Sequence, residues 1–250
     1  MVVTERYVFV HVPKTGGTLV RRLLQKHQKV VKVYRHWHKP YRDVCNKYQT
    51  AKPIAFIRNP WDYYVSHCTF AINRPRTTAG KKEIELTKPA FNKGIHRVFN
   101  RKGRFDPIDW SCFDEYVSAD TVKKCPPNLQ GTWHQVYLPR DQIMEQLDIG
   151  ILTFRYLFMC FRNCVEIFKS GRLPDRAEHE ARLSMRKVYR MEHMTEALTD
   201  LLGMTASLAA KQPKENKGKH RHYQEYYNSS TKDLIAHKER FIIGRYGYTF

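Results

Sequence analysis

Tyr7-Val-Phe-Val-His-Val12 is a nearly unbroken apolar run, the pattern of a central strand covered on both faces. It runs into Pro13-Lys-Thr-Gly-Gly-Thr18, after which Leu19, Val20, Leu23 and Leu24 recur at helical spacing to about Gln28. Strand, glycine turn and helix thus open the chain. A second strand is expected over Lys29–Tyr34 and a third over Pro53–Ile57, which exits through Arg58-Asn-Pro-Trp-Asp62. Asn59 or Asp62 is placed to cap a following helix that carries Tyr64, Val65, Cys68 and Thr69. Strands alternating with helices predict an α/β fold of three layers, a central parallel sheet flanked by helices.

Beyond Ala71 the periodicity weakens. Residues 71–104 hold ten Lys or Arg against two Glu and read as a basic insertion or a pair of short surface helices. Trp110–Val117 has the pattern of a short helix and Ile149–Phe154 that of a late strand, while Arg155–Lys169 and Asp175–Leu202 read as mostly helical. Lys211–His222 is a polar, basic loop. Ser230-Thr-Lys-Asp233 has the form of a capping box opening the last helix, with Leu234, Ile235, Phe241 and Ile242 on its buried side. With no internal repeat and no evident linker, residues 1–250 read as one domain.

Composition narrows the class. The 250 residues are 42% hydrophobic and 13% aromatic, which excludes a wholly disordered or collagen-like chain. No run approaches the roughly 20 apolar residues that cross a bilayer, and no signal-peptide pattern opens the sequence, so a soluble protein is expected. Forty-four Lys and Arg against 24 Asp and Glu leave a net charge of +20. Such a field recruits anions, whether nucleic acid, acidic glycan, anionic lipid or a phosphorylated cofactor. The six cysteines form no Cys-x-x-Cys pair and the twelve histidines fall at no ligand spacing, so no metal site is expected. Cys160 and Cys164, one helical turn apart, read as small core residues, in keeping with a reduced, cytoplasmic compartment.

The candidate chemistry begins at the first turn. Free backbone N–H groups at a glycine turn entering a helix converge on one point, where the helix dipole favours an anion. Gly16 and Gly17 let that anion approach the backbone, Lys14 adds a cation, and Thr15 and Thr18 add hydroxyl groups. The alternative is an ordinary strand-to-helix turn. Lysine precedes the glycines here, whereas the Walker loop needs it after the last glycine, and no G-x-G-x-x-G occurs. ATP, GTP and NAD therefore fall in rank. Arg58, leaving a neighbouring strand, offers a guanidinium fork to a second phosphate, and Ser66, eight residues later on the helix that follows, has a hydroxyl placed to reach the same anion. The alternative for this pair is that Arg58 binds Asp62 and Ser66 merely solvates its helix.

His11-Val-Pro-Lys-Thr-Gly-Gly-Thr18 resembles the 5′-phosphosulfate loop of sulfotransferases that use 3′-phosphoadenosine 5′-phosphosulfate (PAPS), and Ala55-Phe-Ile-Arg-Asn-Pro-Trp-Asp-Tyr-Tyr-Val-Ser-His67 resembles their 3′-phosphate segment. The stretch from Asn216-Lys-Gly through Tyr226-Tyr227 to Gly247-Tyr-Thr-Phe250 is similar to the end of carbohydrate-type members, while residues 71–150 match poorly. The resemblance implies a P-loop-like nucleotide-binding core that transfers a sulfuryl group to an acceptor hydroxyl, most readily on a glycan, and releases 3′,5′-bisphosphoadenosine without a metal. It assigns the donor to Lys14, Thr15, Gly16, Gly17, Thr18, Leu19, Arg58 and Ser66, with Lys217 and Gly218 on a late loop closing over the 3′-phosphate. It places a general base near the end of the second strand, where Arg35-His36-Trp37-His38-Lys39-Pro40 offers His38 first and His36 second.

Lys14 is then the group that neutralises the leaving phosphate. His11 reads as a packed histidine, Trp133 and His134 as candidate acceptor-cleft residues, and the basic segment around Lys81 and Lys82 as a holder for an anionic saccharide. A small alcohol or a protein tyrosine is the other acceptor in view. Two rivals compete: a non-enzymatic nucleic-acid or polyanion binder, which lacks a recognition signature here, and a nucleotide kinase, which lacks the Walker lysine. In location, the alternative to a cytoplasmic protein is a Golgi-type luminal domain without its anchor. Oligomeric state is not legible.

Overall fold

The computed structural model describes residues 1–34, 38–78, 80, 82–100, 140–212 and 220–250. The expected helix at Trp110–Val117 and the residues Trp133, His134 and Lys81 lie outside them.

Among the described residues the chain forms a five-stranded mixed sheet, in the order β3-β1-β2-β4-β5, with helices on both faces. β1 (Val2–Thr4) turns tightly into β2 (Tyr7–Val10), to which it is antiparallel, and α1 (Gly17–His27) leads to β3 (Val30–Val33). β2 pairs in parallel with β4 (Lys52–Ile57), and β4 in parallel with β5 (Lys187–Arg190).

The wholly parallel sheet expected above is therefore corrected at one strand. β3 pairs antiparallel with β1 rather than with β2, so β3, β2, β4 and β5 share one direction and β1 is inserted against it. Val2-Val-Thr4 is short and lies at the chain start, yet all three residues are fully buried because the hairpin drives them into the sheet. Thr4 fastens that hairpin, its Oγ1 accepting from the Tyr7 N–H at 2.9 Å.

Alternation along the strands separates two cores. Phe9, Ile54, Phe56 and Tyr189 pack against Val20 and Leu24 of α1 and Ala197 and Leu201 of α8 (Met194–Leu202). Val8, Val10, Ala55 and Ile57 face the larger core. There they meet α2 (Pro60–Thr78), α3 (Lys88–Asn100) and α5 (Ile151–Cys160), which α4 (Arg140–Gln146) precedes. Two-sided burial of β2 and β4 is what their unbroken apolar runs encode.

Three further expectations change. Residues 149–154 do not form a strand: Gly150 caps α5, a helix whose ten residues are all buried. A short apolar run does not tell a buried strand from a buried helix. The last strand is instead β5, hidden inside a stretch read as helical, because its Lys187-Val-Tyr-Arg190 is too short and too charged to signal itself. Part of the basic stretch is also core-forming, since α2 continues to Thr78 and α3 buries Phe91, Ile95 and Val98.

Cys160 and Cys164 are buried and free as expected, but they sit on separate helices, Cys164 opening α6 (Cys164–Ser170) after a break at Phe161. α7 (Arg176–Arg182) then leads into β5, and α9 (Ala206–Ala210) follows α8. The cap near the end of the chain is Asn228, two residues ahead of the expected Ser230; its Oδ1 accepts from Thr231 N–H at 2.9 Å and it opens α10 (Ser229–Lys238). α11 (Arg240–Tyr246) is a separate final helix. No helix among the described residues is long and apolar enough to cross a membrane.

Candidate functional site

Because β3, β2, β4 and β5 run the same way, their carboxyl ends lie on one side of the sheet. That side of a parallel sheet is where α/β proteins place ligands.

After β2 the backbone takes two left-handed residues, Lys14 at φ 67° and Gly16 at φ 80°, before α1 begins. For lysine this conformation costs about 1–3 kcal/mol, strain of the kind that persists where the surroundings require it. Left-handed residues of this kind occur in turns whose successive N–H groups form anion-binding concavities. No side chain caps α1 and its first turn holds no acid. Gly17 has a separate reason to be glycine: a Cβ there would lie 1.9 Å from the His11 ring. Thr15 is fully buried and donates its hydroxyl proton to the Val12 carbonyl at 2.8 Å, so what it turns to a ligand is backbone. The Leu19 side chain packs into a small core with Leu23 and Leu198, leaving its amide as the group it contributes.

Arg58, 8% exposed, joins the two turns. Its Nε donates to Asp62 Oδ2 at 2.7 Å and its Nη1 to the Lys14 carbonyl at 3.2 Å. The Asp62 pairing weighed as an alternative is thus present, and it aims the guanidinium at the first turn. Asn59 caps α2, its Oδ1 accepting from Trp61 N–H at 3.0 Å, and its own N–H donates to Glu192 Oε1 at 2.5 Å beyond β5. Ser66 is half-buried on α2, one turn before Phe70 on the same face. The Lys14 ammonium lies 4.1 Å from the Phe70 ring centroid. Burial, with Arg58 and Arg155 nearby, lowers the Lys14 pKa from its usual range to about 8.

His38 arrives from beyond β3. Its Nδ1 lies 3.0 Å from the His11 carbonyl oxygen, and the two imidazoles are 4.7 Å apart. A carbonyl only accepts, so Nδ1 carries the proton and the neutral ring keeps its lone pair on Nε2. Burial lowers the His38 pKa to about 4 and sends that of His11 well below the ordinary value, in each case the largest cause. His11 is packed as expected, just past β2 rather than inside it. His36, Lys217 and Gly218 lie outside the described residues.

Sequence reasoning missed Arg155 and Tyr63. Arg155, 4% exposed on α5, donates through Nη1 to the Tyr63 hydroxyl at 2.5 Å. Burial pushes the Tyr63 hydroxyl pKa up to about 12, so this partner stays neutral. One signal was available: a lone arginine within an apolar run, a residue type almost never fully buried without a partner.

The structure thus joins Arg58 to the Lys14 carbonyl at the turn that opens α1, and sets His38 against His11, which directly precedes that turn's Val12 and Pro13. Groups of these kinds have the chemistry to hold a tetrahedral oxyanion and to take up a proton. Among the described residues no group of three His, Cys, Asp or Glu is gathered as for a metal ion. Comparison with family models, curated proteins and solved structures gives no match to this chain.

Proposed function

We propose that the protein is a PAPS-dependent sulfotransferase with a P-loop-like core, moving a sulfuryl group to an acceptor hydroxyl, on a glycan in the first instance. The observation that carries this reading is the Arg58 hydrogen bond to the Lys14 carbonyl, which brings the two resembling segments together at adjacent strand ends. One donor molecule with phosphates at both ends spans such a pair of turns.

In this reading the nest formed by Gly16, Gly17, Thr18 and Leu19 holds the 5′-phosphosulfate, and Arg58 with Ser66 takes the 3′-phosphate. The acceptor oxygen forms a bond to sulfur while the sulfur–oxygen bond to the 5′-phosphate breaks. The bonding pair stays on that phosphate oxygen, where Lys14 neutralises it. The acceptor proton passes to Nε2 of His38. The leaving product is 3′,5′-bisphosphoadenosine, and the protein's main work is alignment and charge neutralisation.

Thermal denaturation with added nucleotide tests it. At 100 times Kd, 3′,5′-bisphosphoadenosine should stabilise the protein by about 2.7 kcal/mol, with no comparable effect of ATP or RNA. Stabilisation by RNA alone would favour a polyanion binder, by ATP alone a kinase. Acceptor class follows from screening glycans, small alcohols and tyrosine peptides with labelled donor.

A further inference from the structure

We propose that a cavity at the end of the sheet away from Lys14 and Arg58 binds an anionic saccharide unit, a sugar carrying a carboxylate or a sulfate group. This goes beyond the sulfotransferase reading and stands or falls without it.

The cavity has a volume of about 290 Å³ and lies where the break after α5 meets the segment between α7 and β5. Its position along the sheet follows from Ser184, two residues ahead of Arg186, whose N–H donates to the Pro53 carbonyl at 2.7 Å near the start of β4. The cavity therefore lies towards the amino ends of β4 and β5. Backbone bonds stitch its two walls together. Phe161 and Leu183 form a β-bridge, Ser184 N–H donates to the Cys160 carbonyl at 3.0 Å, and Arg162 N–H donates to Ser184 Oγ at 2.9 Å. A space held in this way is formed before any ligand arrives, as binding cavities usually are.

Tyr41, Arg162, Asn163, Arg182, Leu183 and Ser184 line it, and among the described residues no acid does. The exposed Arg162 guanidinium lies over the Tyr41 ring, 5.8 Å from its centroid, with no carboxylate partner among the described residues. A guanidinium seated on an aromatic face keeps its N–H edge for a carboxylate or a sulfate. Arg182 has Glu166 at 3.5 Å, a carboxylate that does not line the cavity. Having accepted the Arg162 amide, Ser184 Oγ still has its own proton to donate, and the Asn163 side chain does not cap α6. Two cations thus stand ready for one oxyanion, and a hydroxyl and an amide beside them match the hydroxyl groups of a sugar. The volume sits at the lower end for small-molecule sites, the size of one sugar unit rather than a chain. A net charge of +20 draws such ligands to the surface.

Titrations followed by NMR test the site, with glucuronic acid and glucose 6-sulfate as probes, neutral glucose as control and inorganic sulfate as the bare anion. At least one acidic sugar should bind saturably, about tenfold or more tighter than glucose or sulfate. R162M should weaken that binding about tenfold or more, the scale of one charge-assisted hydrogen bond. N163D, which sets a carboxylate beside the two guanidinium groups, should weaken it likewise, with Tm and affinity for 3′,5′-bisphosphoadenosine as in wild type. Absence of saturable binding, equal binding of glucose or of bare sulfate, or binding indifferent to both variants overturns the proposal. So does a collapse of Tm in both variants, which would make these residues structural. A chain that binds an acidic sugar here but no nucleotide keeps this site and overturns the donor reading; nucleotide binding without the sugar does the reverse.

Discussion

The Nη1 of Arg58 donates to the carbonyl oxygen of Lys14 across 44 residues of sequence, at 3.2 Å. A side chain leaving one strand thereby locks the turn that leaves its neighbour. Lys14 is held left-handed at the same point, so the charge of one residue and the strain of the other belong to one construction.

Replacing Arg58 should therefore do two things. R58K keeps the charge but cannot hold Asp62, Lys14 and a phosphate at once. Affinity for 3′,5′-bisphosphoadenosine should fall at least tenfold, while adenosine 5′-phosphosulfate, which has no 3′-phosphate, should be affected far less. Equal losses for the two ligands in a binding titration would remove Arg58 from the 3′-phosphate.

Lys14→Ala should lower turnover about 100-fold or more, read as transfer of labelled sulfate. Its ionisation adds a pH signature. The folded pKa of about 8 lies below the usual 10.5, so between those values the unfolded chain binds more protons and stability rises with pH. Lys14→Met should flatten that rise in denaturation curves taken from pH 8 to 10.

His38 predicts behaviour at the acid end. Its pKa is lowered from 6.5 to about 4, so from pH 6.5 downward the unfolded state takes up a proton the folded state resists. Stability should fall as pH drops through this window, and His38→Phe should lessen the fall. In catalysis His38→Ala should abolish transfer and leave product nucleotide affinity unchanged. Between pH 6 and 8 the wild-type rate should not decline on the acid side, since the imidazole is already neutral there.

The fold supplies its own test at Glu239, fully buried at the end of α10. Its carboxylate accepts from Tyr64 Oη at 2.6 Å, from the N–H groups of Leu152 and Thr153 at 2.9 and 2.8 Å, and from Thr153 Oγ1 at 2.6 Å. It fills the N-terminal end of α5, where the helix dipole favours a negative charge. Glu239→Ala orphans four donors and should cost at least about 3 kcal/mol by denaturant titration. Gly150→Ala should be comparably harmful, because its Cβ would lie 2.1 Å from the same carboxylate.

Gly17→Ala is the corresponding test at the site. The added methyl meets the His11 ring at 1.9 Å, and relieving that overlap should cost about 1–3 kcal/mol and displace the first amides of α1. Thermal denaturation measures the cost. Loss of nucleotide affinity beyond it measures the disturbance of the nest.

The chain's own pattern was sufficient for β2, α1, β4 and the start of α2, because a strand buried on both faces and an amphipathic helix each carry a local period. Lys14, Gly16, Gly17 and Arg58 stood out as candidates for a related reason, since glycine turns and charges at strand ends are set by neighbours in sequence, whereas His38 was singled out only by the family resemblance. Burial and partners are not local. Val2–Thr4 became an inserted antiparallel strand only by pairing with β2 and β3, and 151–160 became a helix only because the large core encloses it on every side. Arg155 meets Tyr63 across 92 residues, and no period in either segment encodes that meeting. Residue types and their order determined which charged and polar groups stand at the strand ends; the packing of α2 and α5 against the sheet decided which of them face one another.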